Sequence, residues 1–363
     1  LPLNYATSSS GILKAAKMSP TQEYTYVSHK AIAENLIPNT TYAYRVGVEG
    51  YWSEIGSFTT ASDREEPFTF IYMTDSHIMN QAYVNDARMC ADAAAANVPE
   101  ARFCVLPGDF VETGTNRNSE WEWERWFDEA LRPVIQQMPI VPTDGNHDDS
   151  ENLNYTYHFN TDNQFKENAQ IKPQFDGTTY SFMYGDVLFM VYSLQDYWKG
   201  PYSLSTMTSA YLTNDVGNWF REQVKAHPEA KWRIALVHKN IFSGSSHQED
   251  EETPLFRATM LPIMKECEID LMLQGHDHCY EVIGPVDPDT QRPIKDAIKD
   301  LEPTVLSASR NKGGTFTVND GTLYFIGATC GSKRYNPNSK ITMEADFEKH
   351  KVENYYDLFT GMF

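Results

Sequence analysis

The sequence predicts a chain in two parts, a small all-β region followed by a larger α/β domain with parallel strands. Two observations carry this prediction. Apolar and aromatic side chains recur at period two within residues 40–60, a pattern typical of half-buried strands. From residue 68 onward, short apolar runs alternate with helical stretches, which favours parallel strands joined by helices.

Composition and charge exclude several classes of protein. The chain has 363 residues, of which 41% are hydrophobic and 22% charged, and these values exclude a disordered chain, a collagen and a coiled coil. No apolar run reaches the roughly 18 residues that a membrane span needs. Thirty basic and 50 acidic residues give a net charge of −20, which argues against a nonspecific grip on nucleic acid. An anionic substrate would need local positive charge, such as a bound metal ion.

Residues 1–62 are predicted to form the all-β region, and the polar residues 63–67 the linker. The segments 40–48 (TTYAYRVGV) and 52–60 (WSEIGSFTT) are predicted strands, the first with Tyr42, Tyr44, Val46 and Val48 on one face. The preceding LIPNTTY resembles the turn of a fibronectin type III module, in which the Tyr42 hydroxyl would bond back across the corner. Such a module has about 90 to 100 residues, so we expect the chain to start inside it.

The α/β domain is predicted from its apolar runs and helical stretches. Strands are expected at 68–74, 103–106, 140–141, 232–237, 269–273 and 323–326, helices at 80–97 and 119–135, and a hairpin over 180–194 that turns at 184–186. The aromatic residues Trp123, Trp126 and Phe127 share one face of the second helix and are predicted to belong to the core. The five cysteines form no CxxC pair, which favours small buried thiols over a disulfide framework.

Chemistry-bearing side chains follow five predicted strands, each at the carboxyl end of the strand. In chain order they are D-x-H at 75–77, G-D at 108–109, G-N-H-D at 145–148, a single histidine at 238, and G-H-D-H at 275–278. Polar residues at these ends of an α/β sheet point into one crevice. The sequence therefore predicts one site built from all five segments.

The residue types in these segments match metal chemistry. Aspartate, asparagine and histidine offer oxygen and nitrogen ligands without a thiolate, a set that suits Zn, Fe, Mn or Co. Six or seven such ligands are too many for one catalytic ion that keeps an open position. They suit two ions about 3.5–4 Å apart that share one carboxylate.

The order of these motifs resembles that of the calcineurin-like metallophosphoesterases, over residues 68 to 330. The β-region, with LIPNTTYAYRVG and WSEIGSFTT, resembles the N-terminal domain of purple acid phosphatases. The resemblance implies a four-layer αββα sandwich over residues 68–335, with residues 336–363 left as an unassigned C-terminal extension. It also implies a secreted, periplasmic or cell-surface protein; no oligomeric state is predicted.

The resemblance also implies roles for individual residues. One metal ion would be held by Asp75, His77, Asp109 and His278. The other would be held by Asp109, Asn146, His238 and His276, with Asp109 bridging the two ions. His147 would act as the general acid, oriented by Asp148. The two ions would be divalent, with Mn, Zn or Fe as the candidates.

The sequence departs from the purple acid phosphatases at two positions. Those proteins carry D-x-G and G-D-x-x-Y, and the tyrosine binds ferric iron and gives the colour. Here the first motif ends in His77, and Glu112 stands where the tyrosine would be. We therefore predict a colourless site with two divalent ions and no stable ferric centre.

The expected activity is hydrolysis of a small phosphorylated substrate, a phosphomonoester, in which a metal-activated hydroxide attacks phosphorus. Two alternatives remain open, a phosphodiesterase or nucleotidase on the same site and a non-catalytic binding scaffold. Loops around the site are expected to select the substrate. Their candidate residues are His247, Tyr155, Tyr157, and Arg334 in the segment 330–335. The rings of the two tyrosines could stack on a nucleoside or aryl group, or they could equally pack in the protein.

Overall fold

The computed structural model describes residues 11–19, 22–112, 120–148, 155, 158–161, 178–194, 216–250, 252–289, 292–293, 298–299, 317–318 and 321–336. The N-terminal region is all-β, as predicted. Its strands are β1 (Gly11–Ser19), β2 (Gln22–Ser28), β3 (Thr41–Tyr44), β4 (Gly47–Val48), β5 (Tyr51–Trp52) and β6 (Gly56–Thr59). They pair antiparallel, β1 with β2, β3 with β6 and β4 with β5.

The corner before β3 has the hydrogen bond that the sequence predicts. The hydroxyl of Tyr42 accepts a bond from the backbone N–H of Ile37 at 2.9 Å. The predicted single face is wrong beyond Tyr44, because the chain leaves β3 there and forms the β4–β5 hairpin. Val46 and Val48 are 64% and 65% exposed, whereas the two tyrosines are half-buried.

The α/β domain begins with a three-stranded parallel sheet and its helices. These elements are β7 (Ile71–Tyr72), α1 (Gln81–Asn97), β8 (Cys104–Pro107), α2 (Glu120–Arg125), a π-helical turn (Trp126–Ala130), α3 (Arg132–Ile135) and β9 (Ile140–Thr143). The side chain of Asn80 caps α1 by accepting the N–H groups of Ala82 and Tyr83. The predicted helix over 119–135 is interrupted, because Leu131 donates to the carbonyl of Trp126 and Pro133 follows without an N–H.

A second sheet follows with its own helices. Its elements and the short strands after them are β10 (Tyr180–Tyr184), β11 (Val187–Val191), α4 (Gly217–Ala226), β12 (Trp232–Leu236), a 3-10 turn (Ser246–Glu249), α5 (Glu252–Glu266), β13 (Leu271–Gln274), β14 (Tyr280–Ile283), β15 (Val286–Asp287), β16 (Arg292–Pro293), β17 (Ile298–Lys299), β18 (Thr317–Val318) and β19 (Leu323–Gly327). The described strands of this sheet lie in the order β10-β11-β12-β13-β19-β14. The pairs from β11 to β19 are parallel, and β10 and β14 are antiparallel edges.

The two sheets pack face to face, with helices on both outer surfaces. Val105 of the first sheet and Phe189 and Leu236 of the second belong to one buried cluster between them. A second cluster joins the first sheet to α1 and to the buried Trp126, and a third joins the second sheet to α4 and α5. The predicted four-layer αββα sandwich is confirmed. Among the described residues, no helix is both long and apolar enough to cross a membrane.

The β-region contacts the end of α3. The hydroxyl of Tyr44 donates to the carbonyl of Ile135 at 3.2 Å, and the backbone N–H of Ser57 donates to the carbonyl of Gln136 at 2.7 Å. These contacts lie away from the carboxyl ends of the parallel strands, where the predicted site residues are found.

Candidate metal centre

The predicted metal ligands lie in loops that follow strands of both sheets. Asp75 and His77 follow β7, Asp109 follows β8, Asn146 follows β9, His238 follows β12, and His276 and His278 follow β13. Four of them adopt left-handed backbone conformations: φ is +57° at Asp75, +46° at His77, +52° at Asp109 and +73° at His276. Such conformations cost about 1–3 kcal/mol per residue and persist only where the surrounding structure enforces them. Here they turn the side chains into a common crevice.

Glycines in the motifs let these loops approach one another. A Cβ atom on Gly145 would lie 2.1 Å from Oδ1 of Asp109, and one on Gly275 would lie 2.8 Å from Oδ2 of Asp75. Neither distance is sterically possible, so any larger residue would displace a predicted ligand. The glycines of G-N-H-D and G-H-D-H are therefore explained by close approach to the two aspartates.

We call Asp75, His77 and His278 the first half of the centre. The Nε2 atoms of the two histidines lie 2.9 Å apart, an approach that a shared cation would accommodate. Oδ1 of Asp75 lies 3.2 Å from Nε2 of His278 and 3.7 Å from Nε2 of His77. With Asp109, these side chains offer four donor atoms within 4.8 Å of one another, all of them buried.

We call Asn146, His238 and His276 the second half. Nε2 of His238 lies 3.1 Å from Oδ1 of Asn146, and Nδ1 of His238 donates to the carbonyl of Pro107 at 2.7 Å. Because a carbonyl oxygen can only accept, Nδ1 carries the proton and Nε2 of the neutral ring is left with a lone pair. His238, His276 and Asp109 again bring donor atoms within 4.8 Å of one another.

Asp109 joins the two halves. Its Oδ2 lies 3.2 Å from Nε2 of His77 in the first half and 3.2 Å from Nε2 of His238 in the second. Its Oδ1 accepts the backbone N–H of His147 at 2.9 Å. Two groups of mostly buried oxygen and nitrogen donors that share one carboxylate fit two divalent transition-metal ions, because imidazole and carboxylate donors suit such ions.

The ionisation of the centre depends on the pairing of carboxylates with imidazoles. Burial works against ionisation of Asp109, but the neighbouring histidines, His238 foremost, hold its pKa well below the usual range. Burial likewise works against protonation of His238, yet Asp109 raises its pKa to about 9. For His276, burial and the nearby His247 lower the pKa. Without a metal ion, the positive charge of protonated histidines thus balances the negative charge of the carboxylates. A bound cation would supply this positive charge in place of the protons.

His147 lies beside the first half. Its ring centroid is 4.7 Å from that of His77, and its Nδ1 donates to the backbone carbonyl of Glu112 at 2.6 Å. The proton on Nδ1 is therefore held in this hydrogen bond, and Nε2 is the ring nitrogen that is available to exchange a proton.

Asp148 does not have the partner that the sequence analysis assigned to it. Its carboxylate is fully buried and accepts backbone N–H groups of Phe110 at 2.8 Å, Val111 at 3.2 Å and Gly145 at 2.9 Å. The carboxylate therefore ties the loop after β8 to the loop after β9. The expected orientation of His147 by Asp148 is corrected, since the carbonyl of Glu112 orients that ring. Burial, with a contribution from Asp109, raises the pKa of Asp148 to about 7.

The predicted substrate residues are placed differently from one another. His247 lies at the centre, with its ring 3.7 Å from that of His276 and its Nδ1 2.7 Å from Oδ2 of Asp250. Tyr155 is buried in the core beside Phe110 and Phe159, so its ring packs in the protein, which is one of the two roles that the sequence analysis left open. Arg334 is exposed on the side of Cys90, and Tyr157 lies outside the described residues.

The segment after β19, which the sequence analysis selected as a candidate loop, reaches the centre through residues other than Arg334. The ring of Tyr335 stacks on that of His278 with centroids 4.3 Å apart, and Nζ of Lys333 lies 3.2 Å from both carboxylate oxygens of Glu112. The backbone N–H of Cys330 donates to the carbonyl of Thr74 at 2.9 Å. The available signal was the position of this segment directly after a central parallel strand, as with the other loops of the site.

Comparisons with known proteins agree with this geometry. The calcineurin-like phosphoesterase family matches residues 68–280, and the N-terminal domain of purple acid phosphatases matches residues 3–60. An uncharacterized protein of Mycobacterium tuberculosis is 24% identical over 280 residues, which cover 72% of this chain and 52% of that protein. Purple acid phosphatase 3 of Arabidopsis thaliana is 40% identical over 62 residues, 17% of this chain and 16% of the relative. The chain thus spans about half the length of the first of these relatives.

Solved structures share the fold. A purple acid phosphatase from yellow lupin (Lupinus luteus) seeds superposes with a TM-score of 0.62 at 15% identity, covering 92% of this chain and 59% of that one. A structure of PhoD gives a TM-score of 0.51 at 15% identity, covering 92% and 72%. The family match from residue 68 to residue 280 spans more than half of the chain and includes both halves of the candidate centre. The chain therefore belongs to the calcineurin-like phosphoesterase family, as the order of its motifs predicts.

Proposed function

We propose that this protein hydrolyses small phosphomonoesters with two divalent metal ions, one held by each half of the centre. The observation that carries the proposal is the position of Asp109, whose Oδ2 lies 3.2 Å from an imidazole nitrogen of either half. Membership of the phosphoesterase family supports the reaction class.

We also propose that residues 1–62 and 68–335 are separate domains joined by residues 63–67. We further propose that the protein acts outside the cytoplasm.

Each group in the site has a role in this proposal. When bound, the ions supply positive charge and Lewis acidity, which the phosphate ester needs in a chain of net charge −20. Asp75, His77 and His278 would hold one ion, Asn146, His238 and His276 would hold the other, and Asp109 would belong to both sets. His147 donates a proton from Nε2 to the leaving oxygen, because its Nδ1 proton is held by the carbonyl of Glu112.

The non-catalytic scaffold is the weaker alternative. A scaffold would be expected to lack some of the donors, whereas both donor groups are complete and buried, apart from Asn146 and His276, which lie closer to the surface. His247 contacts the second half, where a substrate group could reach it. A phosphodiesterase or nucleotidase would use the same donors, so turnover must separate it from a phosphatase.

The experiment that tests the proposal combines metal content with turnover. Purified protein is reconstituted with Mn or Zn, its metal content is measured by mass spectrometry, and p-nitrophenyl phosphate and bis-p-nitrophenyl phosphate are assayed on the same sample. Two ions per chain with faster turnover of the monoester are expected. Two ions with a preference for the diester would replace the phosphatase by a phosphodiesterase.

A matched variant controls for loss of any histidine. His227 lies after α4 and pairs with Glu229 on the surface at 3.2 Å. His227→Ala should keep both ions and wild-type kcat/KM. If the wild-type protein takes up no metal and turns over neither ester, the proposed function is wrong and the scaffold is favoured.

A further inference from the structure

Glu112 contacts two imidazoles of the centre through two different oxygens. Its side-chain Oε2 lies 2.6 Å from Nδ1 of His77, and its backbone carbonyl lies 2.6 Å from Nδ1 of His147. The first contact belongs to the side chain and the second to the main chain. A substitution at this position can therefore remove one contact and keep the other.

Both contacts fix the tautomer of a histidine. A carbonyl oxygen and an ionised carboxylate can only accept hydrogen bonds, so Nδ1 carries the proton in both rings. The Nε2 atom of a neutral His77 then presents its lone pair toward Asp109 and His278, at 3.2 Å and 2.9 Å. Glu112 thus lies behind His77, on the opposite side of the ring from the donors of the first half.

Lys333 holds the carboxylate of Glu112. Its Nζ lies 3.2 Å from both oxygens, and both side chains are about three-quarters buried, with 24% exposure for Lys333 and 22% for Glu112. The same segment reaches the first half again, where Tyr335 stacks on His278. The segment after β19 is therefore fixed against the first half at two points.

We propose that Glu112 is a positioning residue that commits His77 to binding metal through Nε2, and that Lys333 keeps the Glu112 carboxylate in place. This inference rests on the proposed function, because it assigns His77 as a ligand. A carboxylate behind a metal-binding imidazole fixes the ring and makes it a stronger donor, and losing such a partner typically costs about 10- to 100-fold in metal affinity. Glu112 would act on the first half only.

Three variants separate the possible roles of Glu112. Glu112→Ala removes the carboxylate and keeps the backbone carbonyl, whereas Glu112→Gln keeps an acceptor oxygen and loses the charge. Glu266→Ala is the matched control, since Glu266 has a bidentate surface pair with Arg221 at 2.6 and 2.8 Å. Zinc affinity is measured for each protein by competition with a chelator. Histidine ring ¹⁵N NMR of the zinc-loaded proteins reports which ring nitrogens carry protons.

The expected results differ between the two rings. In Glu112→Ala, one of the two zinc sites should weaken about 10- to 100-fold, and the Nδ1-proton signal of His77 should change while that of His147 stays. Glu112→Gln should keep the His77 tautomer and lose less affinity. Glu266→Ala should match the wild type in both measurements.

Several outcomes would overturn the inference. Wild-type zinc affinity and tautomers in Glu112→Ala would show that the carboxylate does not position His77. Loss of both histidine signals would show that Glu112 acts through the fold as a whole. Equal losses of affinity in the Ala and Gln variants would show that the hydrogen bond accepted from His77 does not position the ring. If the wild-type protein itself binds fewer than two zinc ions, the proposed function fails, which is a separate result.

Discussion

The two halves of the centre are built from similar donors but supported in different ways. In the first half, charged and aromatic side chains stand behind the donors: Glu112 behind His77, and the ring of Tyr335 against His278. In the second half, the carbonyl of Pro107 holds His238, and the ring of His247 covers His276.

The donors of the first half are also less exposed to solvent than two of the three donors of the second half. Asp75, His77 and His278 are at most 2% exposed, whereas His276 is 7% exposed and Asn146 is half-buried. A carboxylate partner strengthens a ligating imidazole, and a more exposed group exchanges with solvent more readily. We therefore expect the first half to bind its ion more tightly and the second half to face the entering substrate.

The largest effect should come from the residue that belongs to both halves. Asp109→Ala removes the carboxylate that the two halves share. The metal content should therefore fall from two ions per chain to fewer than one, and turnover should fall to background. Metal analysis after reconstitution measures this. Asp92→Ala, on the surface of α1 where Asp92 pairs with Arg88, should keep both ions. Two retained ions in Asp109→Ala would refute the bridge and make the halves independent.

The next largest effect tests whether His147, which lies beside the first half, is the general acid. His147→Ala should lower kcat on an alkyl phosphate by about 10²- to 10⁴-fold, because an alkoxide needs a proton to leave. The loss on p-nitrophenyl phosphate should be smaller, since that leaving group is a weak base. Steady-state kinetics on both esters with the metal-loaded protein provide the comparison. An equal loss on both esters would contradict the acid role.

The sequence predicted the donors better than their supports. The donors follow parallel strands, and the carboxyl ends of those strands meet at one edge of the sheets, so position along the chain was enough to place Asp75, Asp109 and His238 together. The supports depend on contacts between distant segments. Glu112 and Lys333 are 221 residues apart in sequence, and no periodicity relates them.

Local patterns also failed where one residue type serves two purposes. The ring of Tyr155 could stack on a substrate or pack in a core, and only the surrounding aromatic side chains decide for the core. The sequence analysis also predicted one continuous helix over 119–135. The structure has a π-helical turn at 126–130 that interrupts it, although the apolar pattern continues through the turn. The residues of β7 were expected to pair over 68–74, but the strand spans Ile71–Tyr72.

The smallest effect concerns the metal-free protein and the second half. The pKa of His238 is about 9 in the fold and about 6.5 in the unfolded chain. A raised folded pKa stabilises the fold fully below pH 6.5, and this contribution disappears as the pH rises toward 9. Urea unfolding of metal-free protein should show a loss of about 3 kcal/mol at most over that interval.

A variant isolates the contribution of His238 from that of other groups. In metal-free His238→Gln, the decline in stability between pH 6.5 and 9 should be flatter than in the wild type. The remaining decline includes the contribution of His77 of the first half, whose pKa Asp109 also raises against the effect of burial, and that of Asp148, whose pKa burial raises to about 7. Metal-loaded protein should not show the decline, because the ions bind the deprotonated imidazoles. If metal-free wild type and His238→Gln lose stability equally, the charge of the second half is not carried by His238, and the contrast between the halves in the absence of metal disappears.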